Sequence, residues 1–129
     1  MADFDAGKAL ESVMDEAKSY VEDPSRIDSL LLQFENSLQD IPAAGQTLAS
    51  IPRMISMVKS YITKEYTEVS VKVIVTIVAA FLYVVKKKDL VSDSIPVIGK
   101  LDDIAVITLA LQFVQPELEA YAAWRDGKA

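Results

Sequence analysis

Apolar side chains recur along most of this chain at steps of three and four, the period of an amphipathic helix. Over residues 5–22, Leu10, Val13, Met14, Ala17 and Val21 form one stripe, and the spacing predicts a helix. Asp23-Pro24 ends it, because proline cannot continue the hydrogen-bond ladder, and Asp23 can cap a new helix with Pro24 in its first turn. That second helix, 24–40, carries Ile27, Leu30, Leu31, Phe34, Leu38 and Ile41 on one face and Asp28, Gln33, Glu35 and Gln39 mostly opposite. A third helical stretch covers 44–65, with Leu48, Ile51, Ile55, Val58, Tyr61 and Ile62 as its stripe and Met54 and Met57 widening it. Pro52 lies inside this stretch, which is read as one kinked helix or two pieces.

The pattern then changes. Residues 71–85 are apolar except for Lys72 and Thr76, so this segment is expected to be buried on every side or to face lipid. Its β-branched content would suit a strand, but the run is long and has no period-two partner. A helix capped by Ser70 and closed by Lys86, Lys87 and Lys88 is expected instead. Ser92, Ser94, Pro96 and Gly99 break regular structure over a connector at 89–100. A second apolar helix is expected at 101–114, with Asp102 and Asp103 in its first turn. Gln115-Pro116 interrupts, and a last amphipathic helix at 116–126 bears Leu118, Tyr121, Ala122 and Trp124. The fold class expected is all-α: one domain over 1–129, a compact bundle of five or six helices. Its centre is the apolar pair 70–86 and 101–114, joined by a bent connector, with 1–22 the most peripheral part.

Composition narrows the chemistry. The 129 residues include no Cys and no His, which removes thiol nucleophiles, Cys/His zinc sites and any triad built on histidine. A net charge of −6 disfavours a nucleic-acid binder, which needs a basic face. The first twenty residues lack the basic and apolar regions of a secretory signal, so a cytoplasmic protein is expected. No Gly-rich phosphate loop or nucleophile elbow is present, and neither a cofactor nor a small-molecule substrate is expected.

The connector carries the most specific signal. Asp89, Leu90, Asp93, Ile95, Pro96, Val97, Gly99, Leu101, Asp102 and Asp103 stand in the order D-L-x-x-D-x-I-P-V-x-G-x-L-D-D. This resembles the signature of the YkvA-like bacterial domain of unknown function, and the likeness extends over about 41–127. The family's S-P before the first Asp is Lys86-Lys87 here, its middle proline is Ser92, and its usual aromatic is Ser94. The resemblance implies a helical fold and no established chemistry. It also raises the membrane question, because apolar segments of some relatives are described as membrane-spanning.

Three functional readings follow. The first is a non-enzymatic interaction module that binds another protein or itself, with Lys86, Lys87, Lys88 and Trp124 as candidate contacts. Tyr61 and Tyr121 are expected to be half-buried, and Trp124 to be an exposed anchor. The second is a membrane-associated protein, localised at the inner membrane, using 71–85 and 104–114. Thirteen apolar residues rise only ~20 Å against ~30 Å of hydrocarbon, which favours a protein interior. The third is a divalent-cation-dependent activity at a cluster of Asp89, Asp93, Asp102 and Asp103, against which stands simple capping of helix ends.

Overall fold

The fold was described from a computed structural model covering residues 6–37, 45–90 and 96–128, with the side chains of 45–48, 87–90, 96–103 and 128 outside that description. Six helices appear among the described residues: α1 (Ala6–Ser12), α2 (Met14–Val21), α3 (Pro24–Ser37), α4 (Gly45–Ile62), α5 (Val71–Leu90) and α6 (Pro96–Lys128). Every described element is helical, as the periodicity requires.

Two local differences from the sequence reading concern where helices break. The 5–22 helix divides at Val13, whose φ of −111° and ψ of 5° interrupt the helical path. Val13 is itself buried and belongs to the core. The opposite happens at the other end. Gly99 and Pro116 were expected to punctuate, yet α6 runs through both as one helix of 33 residues, ~50 Å long. It starts on Pro96, a residue suited to the first turn, where a missing N–H leaves nothing unmade. Asp102 and Asp103 are therefore past the first turn of α6, and the expected capping role at that helix start is overturned. Pro52 and Pro116 both lie on exposed faces, where a freed carbonyl can meet water. Both helices continue past them.

The caps expected at Asp23 and Ser70 form. The amides of Ser25 and Arg26 donate to Asp23 Oδ1 at 3.1 and 3.4 Å. The Val73 amide lies 3.4 Å from Ser70 Oγ. After α4 the chain closes in a Schellman motif. Lys64, with φ of 68°, donates to the Tyr61 carbonyl, and Glu65 donates to the Ser60 carbonyl. Tyr66 also donates to Ser60, which brings its ring back beneath the end of α4.

Helix α5 is the core. It packs against each of α1, α2, α3, α4 and α6. From 73 to 85 every residue is buried except half-buried Tyr83. Thr76 is accommodated because its hydroxyl donates to the Lys72 carbonyl at 2.8 Å. Phe34 of α3 stacks on Phe81 with ring centroids 4.0 Å apart. A second buried cluster, Ala80, Val106 and Ala110, has Ala6 and Ala9 of α1 packed against it.

The second apolar segment departs from its expected role. Val106, Ile107, Ala110, Leu111 and Val114 are buried, but Ile104 and Leu109 are partly exposed and Phe113 is 50% exposed. The α6 segment is thus half-covered rather than central. Among the described residues no helix is long and apolar enough to cross a membrane.

Candidate functional site

The candidate site is a seam between α4 and the C-terminal half of α6, and it is built from pairs far apart in sequence. Helix α4 buries Ile51, Met54, Ile55, Met57 and Val58 inward. Two of its half-buried positions, Ser56 and Ser60, sit one turn apart on the face toward α6. Tyr121 of α6 lies against them. Its Oη is 2.6 Å from Ser56 Oγ and 2.9 Å from Ser60 Oγ. Arg125, one turn further along α6, donates from Nη1 to Ser56 Oγ.

Three aromatic rings brace this polar seam from beneath. Tyr66 meets Tyr121 edge-on at 5.0 Å between centroids and Trp124 at 4.8 Å. Tyr121 and Trp124 stack at 5.7 Å. Burial, followed by the nearby carboxylates of Glu117 and Glu68, pushes the Tyr66 phenol above its ordinary range. It therefore stays protonated at neutral pH. The proton binds more tightly in the folded state, so this contribution is complete below the free phenol's pKa. It is lost as pH climbs from there through the raised value.

The seam is open. A cavity of about 750 Å³ is lined by residues that include Pro52, Ile55, Lys59, Trp124 and Arg125, together with Glu35 and Glu65. A second cavity of about 680 Å³ adjoins it, sharing Pro52, Tyr121 and Arg125 and adding Ala49, Arg53 and Asp126. From Ala49 to Ser60 the lining positions of α4 span ~17 Å. Such a length accommodates about five residues of extended chain. Chemically the seam offers hydroxyl and guanidinium donors, an ammonium, and an apolar wall.

Of the residues singled out from sequence, Tyr121 and Trp124 lie in the seam. Trp124 lies in the seam, but half-buried against Tyr66 and Tyr121 rather than as an exposed anchor. Tyr121, expected to be half-buried, is 1% exposed, because Ser56 and Ser60 give its hydroxyl partners inside the protein. Tyr61 is half-buried as expected. Lys86 forms an ion pair with Glu16 of α2 at 2.6 Å, tying the end of α5 to α2. The side chains of Lys87 and Lys88 lie outside the described residues. So do those of Asp89 in α5 and of Asp102 and Asp103 in α6, and all of Asp93. Among the described residues no group of three or more acidic side chains could hold a metal. Sequence reasoning missed Ser56, Ser60, Lys59 and Arg125. Their one local signal was Ser56 and Ser60 at i and i+4 on the flank of an apolar stripe.

Comparison with known proteins places the chain without assigning it a chemistry. Residues 73–109, a span that takes in most of α5 and the first part of α6, match the family described as "Protein of unknown function (DUF1232)". The chain is 32% identical over 75 residues to the "Uncharacterized membrane protein YkvA" of Bacillus subtilis (strain 168). That alignment covers 58% of this chain and 71% of the relative. No solved structure matches. The seam residues 51–60 and 121–125 lie outside the segment matched to the family. With an all-helical fold and this relative, the chain belongs to the YkvA-like family of proteins of unknown function.

Proposed function

We propose that this protein is a non-enzymatic helical module that binds a partner polypeptide along the α4–α6 seam. The observation that carries the reading is the pair of adjoining cavities, about 750 and 680 Å³, running along a single helix seam. Trp124 and Arg125 belong to the residue types that dominate binding energy at protein interfaces, and they stand side by side here. The chain's lack of Cys and His supports a binding role over nucleophilic or acid–base catalysis.

Site-directed photocrosslinking in the native host tests this. A benzophenone side chain replaces Ala49, at the rim of the seam, or Asp28, exposed on α3 outside it. The expected result is a single adduct of constant mass from position 49 and none from position 28, suppressed by Arg125→Glu. An adduct at twice the chain mass identifies the partner as a second copy. Equal adducts at both positions, or none at either, would overturn the reading.

A second reading is contact with a membrane surface. The curated relative is named a membrane protein. Phe113 and Val71 are about half exposed, and Lys72 Nζ lies 5.6 Å from the centre of the Phe113 ring. An aromatic ring beside an exposed lysine suits an anionic interface. Co-sedimentation with phosphatidylcholine–phosphatidylglycerol vesicles, lost in Phe113→Glu, is the expected outcome of that reading. Absence of the wild-type chain from the vesicle pellet contradicts it.

A further inference from the structure

In the α4–α6 seam, Arg125 and Lys59 carry N–H donors that no described carboxylate takes, and these point to what it binds. Ser56, Ser60 and Tyr121 contribute three hydroxyl hydrogens to two hydroxyl–hydroxyl contacts. One hydrogen is left over whichever way those bonds run. Ser37 and Thr76 turn their hydroxyls back to the carbonyl four residues earlier, whereas Ser56 and Ser60 make no such bond among the described residues. A guanidinium carries five N–H groups. That of Arg125 donates to Ser56, and among the described residues no carboxylate pairs with it. Lys59, exposed on the same lining, likewise has no carboxylate partner among the described residues. Unused N–H groups on two cations of one lining suit an oxyanion.

The surroundings choose among oxyanions. Glu35 and Glu65 line the same cavity, Asp126 lines the adjoining one, and the whole chain carries a charge of −6. A dianionic phosphate meets repulsion from all of these, whereas one carboxylate needs only the Arg125 fork and a hydroxyl. Next to Arg125, Pro52 and Trp124 supply an apolar wall. We infer that the seam seats a single carboxylate side chain flanked by apolar residues on the partner polypeptide. The carboxylate sits on Arg125 and the Ser56 hydroxyl, and the flanking side chain lies against Pro52 and Trp124. This rests on the seam being the docking site and adds the chemistry of its occupant.

Trp124 is the single tryptophan in the sequence, so its emission reports on the seam. The full chain is titrated with the capped hexapeptide Ala-Leu-Glu-Leu-Ala-Ser, with the same peptide bearing Gln for Glu, and with inorganic phosphate. The expected result is a saturable change with the Glu peptide and binding about tenfold weaker with the Gln peptide, the size expected for one charge-assisted hydrogen-bonded pair. Phosphate binds more weakly than the Glu peptide. In Arg125→Gln the Glu preference falls to about twofold or less, with the unfolding midpoint unchanged. In Lys18→Gln, exposed on α2, it persists. Equal affinity for the two peptides, a preference that survives Arg125→Gln, tighter binding of phosphate, or no saturable change at millimolar peptide would each overturn the inference. If crosslinking from position 49 persists in that event, the carboxylate chemistry fails and the docking seam stands. If crosslinking fails too, both fall.

Discussion

Helices α5 and the first half of α6 have almost the same apolar character in sequence and different fates in the fold. Helix α5 is enclosed by five other helices and leaves almost nothing of 73–85 at the surface. Helix α6 is covered on one side, exposes Phe113 on another, and carries the open seam with α4 further along. Apolarity alone therefore does not say which segment is enclosed and which is left open. Position among neighbours decides that, and here it encloses α5 and leaves faces of α4 and α6 open to solvent.

The largest test of this contrast compares one phenylalanine from each helix. Phe81→Ala removes a fully buried ring stacked on Phe34, and is expected to cost ~3–5 kcal/mol in denaturant unfolding. Phe113→Ala, half exposed with Lys72 Nζ 5.6 Å from its ring centre, is expected to cost under ~1 kcal/mol. Similar losses for the two would erase the distinction.

Next in size is Tyr121→Phe. It removes the hydroxyl shared by Ser56 and Ser60 while keeping the ring, so thermal unfolding is expected to show a loss of ~1–2 kcal/mol. A change near zero would mean that water replaces the hydroxyl freely and that the seam is looser than its geometry indicates.

Lys64→Gly sharpens the account in the opposite direction. Lys64 holds φ of 68°, a conformation that costs a side-chain-bearing residue ~1 kcal/mol and glycine almost nothing. The variant is expected to be more stable by roughly that amount, with Tyr66 still seated under α4. Destabilisation would show that the Lys64 side chain makes a contact outweighing its backbone strain.

The smallest effect belongs to the Lys86–Glu16 pair. Both side chains are about 40% exposed, at 43% and 38%, so a double-mutant cycle is expected to give ~0.2–1 kcal/mol, shrinking as salt is raised. A larger, salt-independent coupling would mark the end of α5 as something more than a clasp to α2.

Much of the helical layout was legible because it rests on local rules. The stripes at Ile27–Leu30–Leu31–Phe34 and Ile51–Ile55–Val58, the Asp23 cap and the enclosed run at 73–85 each follow from spacing or from one side chain meeting a nearby amide. The break at Val13 and the continuity of α6 through Gly99 and Pro116 were not legible. Breaking propensity is outweighed when tertiary contacts hold a helix on one face and the proline points outward. The seam was the least legible part. Ser56 meets Tyr121 across 65 residues, and nothing near either residue announces the other. Tyr121 alone reads as a residue whose hydroxyl reaches water. Its burial depends on two serines supplied by a different helix.

Amide hydrogen exchange of the full chain in water, without detergent or lipid, tests the central contrast most directly. The account predicts that amides over 73–85 exchange slowest in the molecule, opening only with global unfolding, while those on the outer faces of α4 and α6 around Ser56 and Phe113 exchange faster. Rapid exchange throughout α5, reversed only when micelles or vesicles are added, would contradict it.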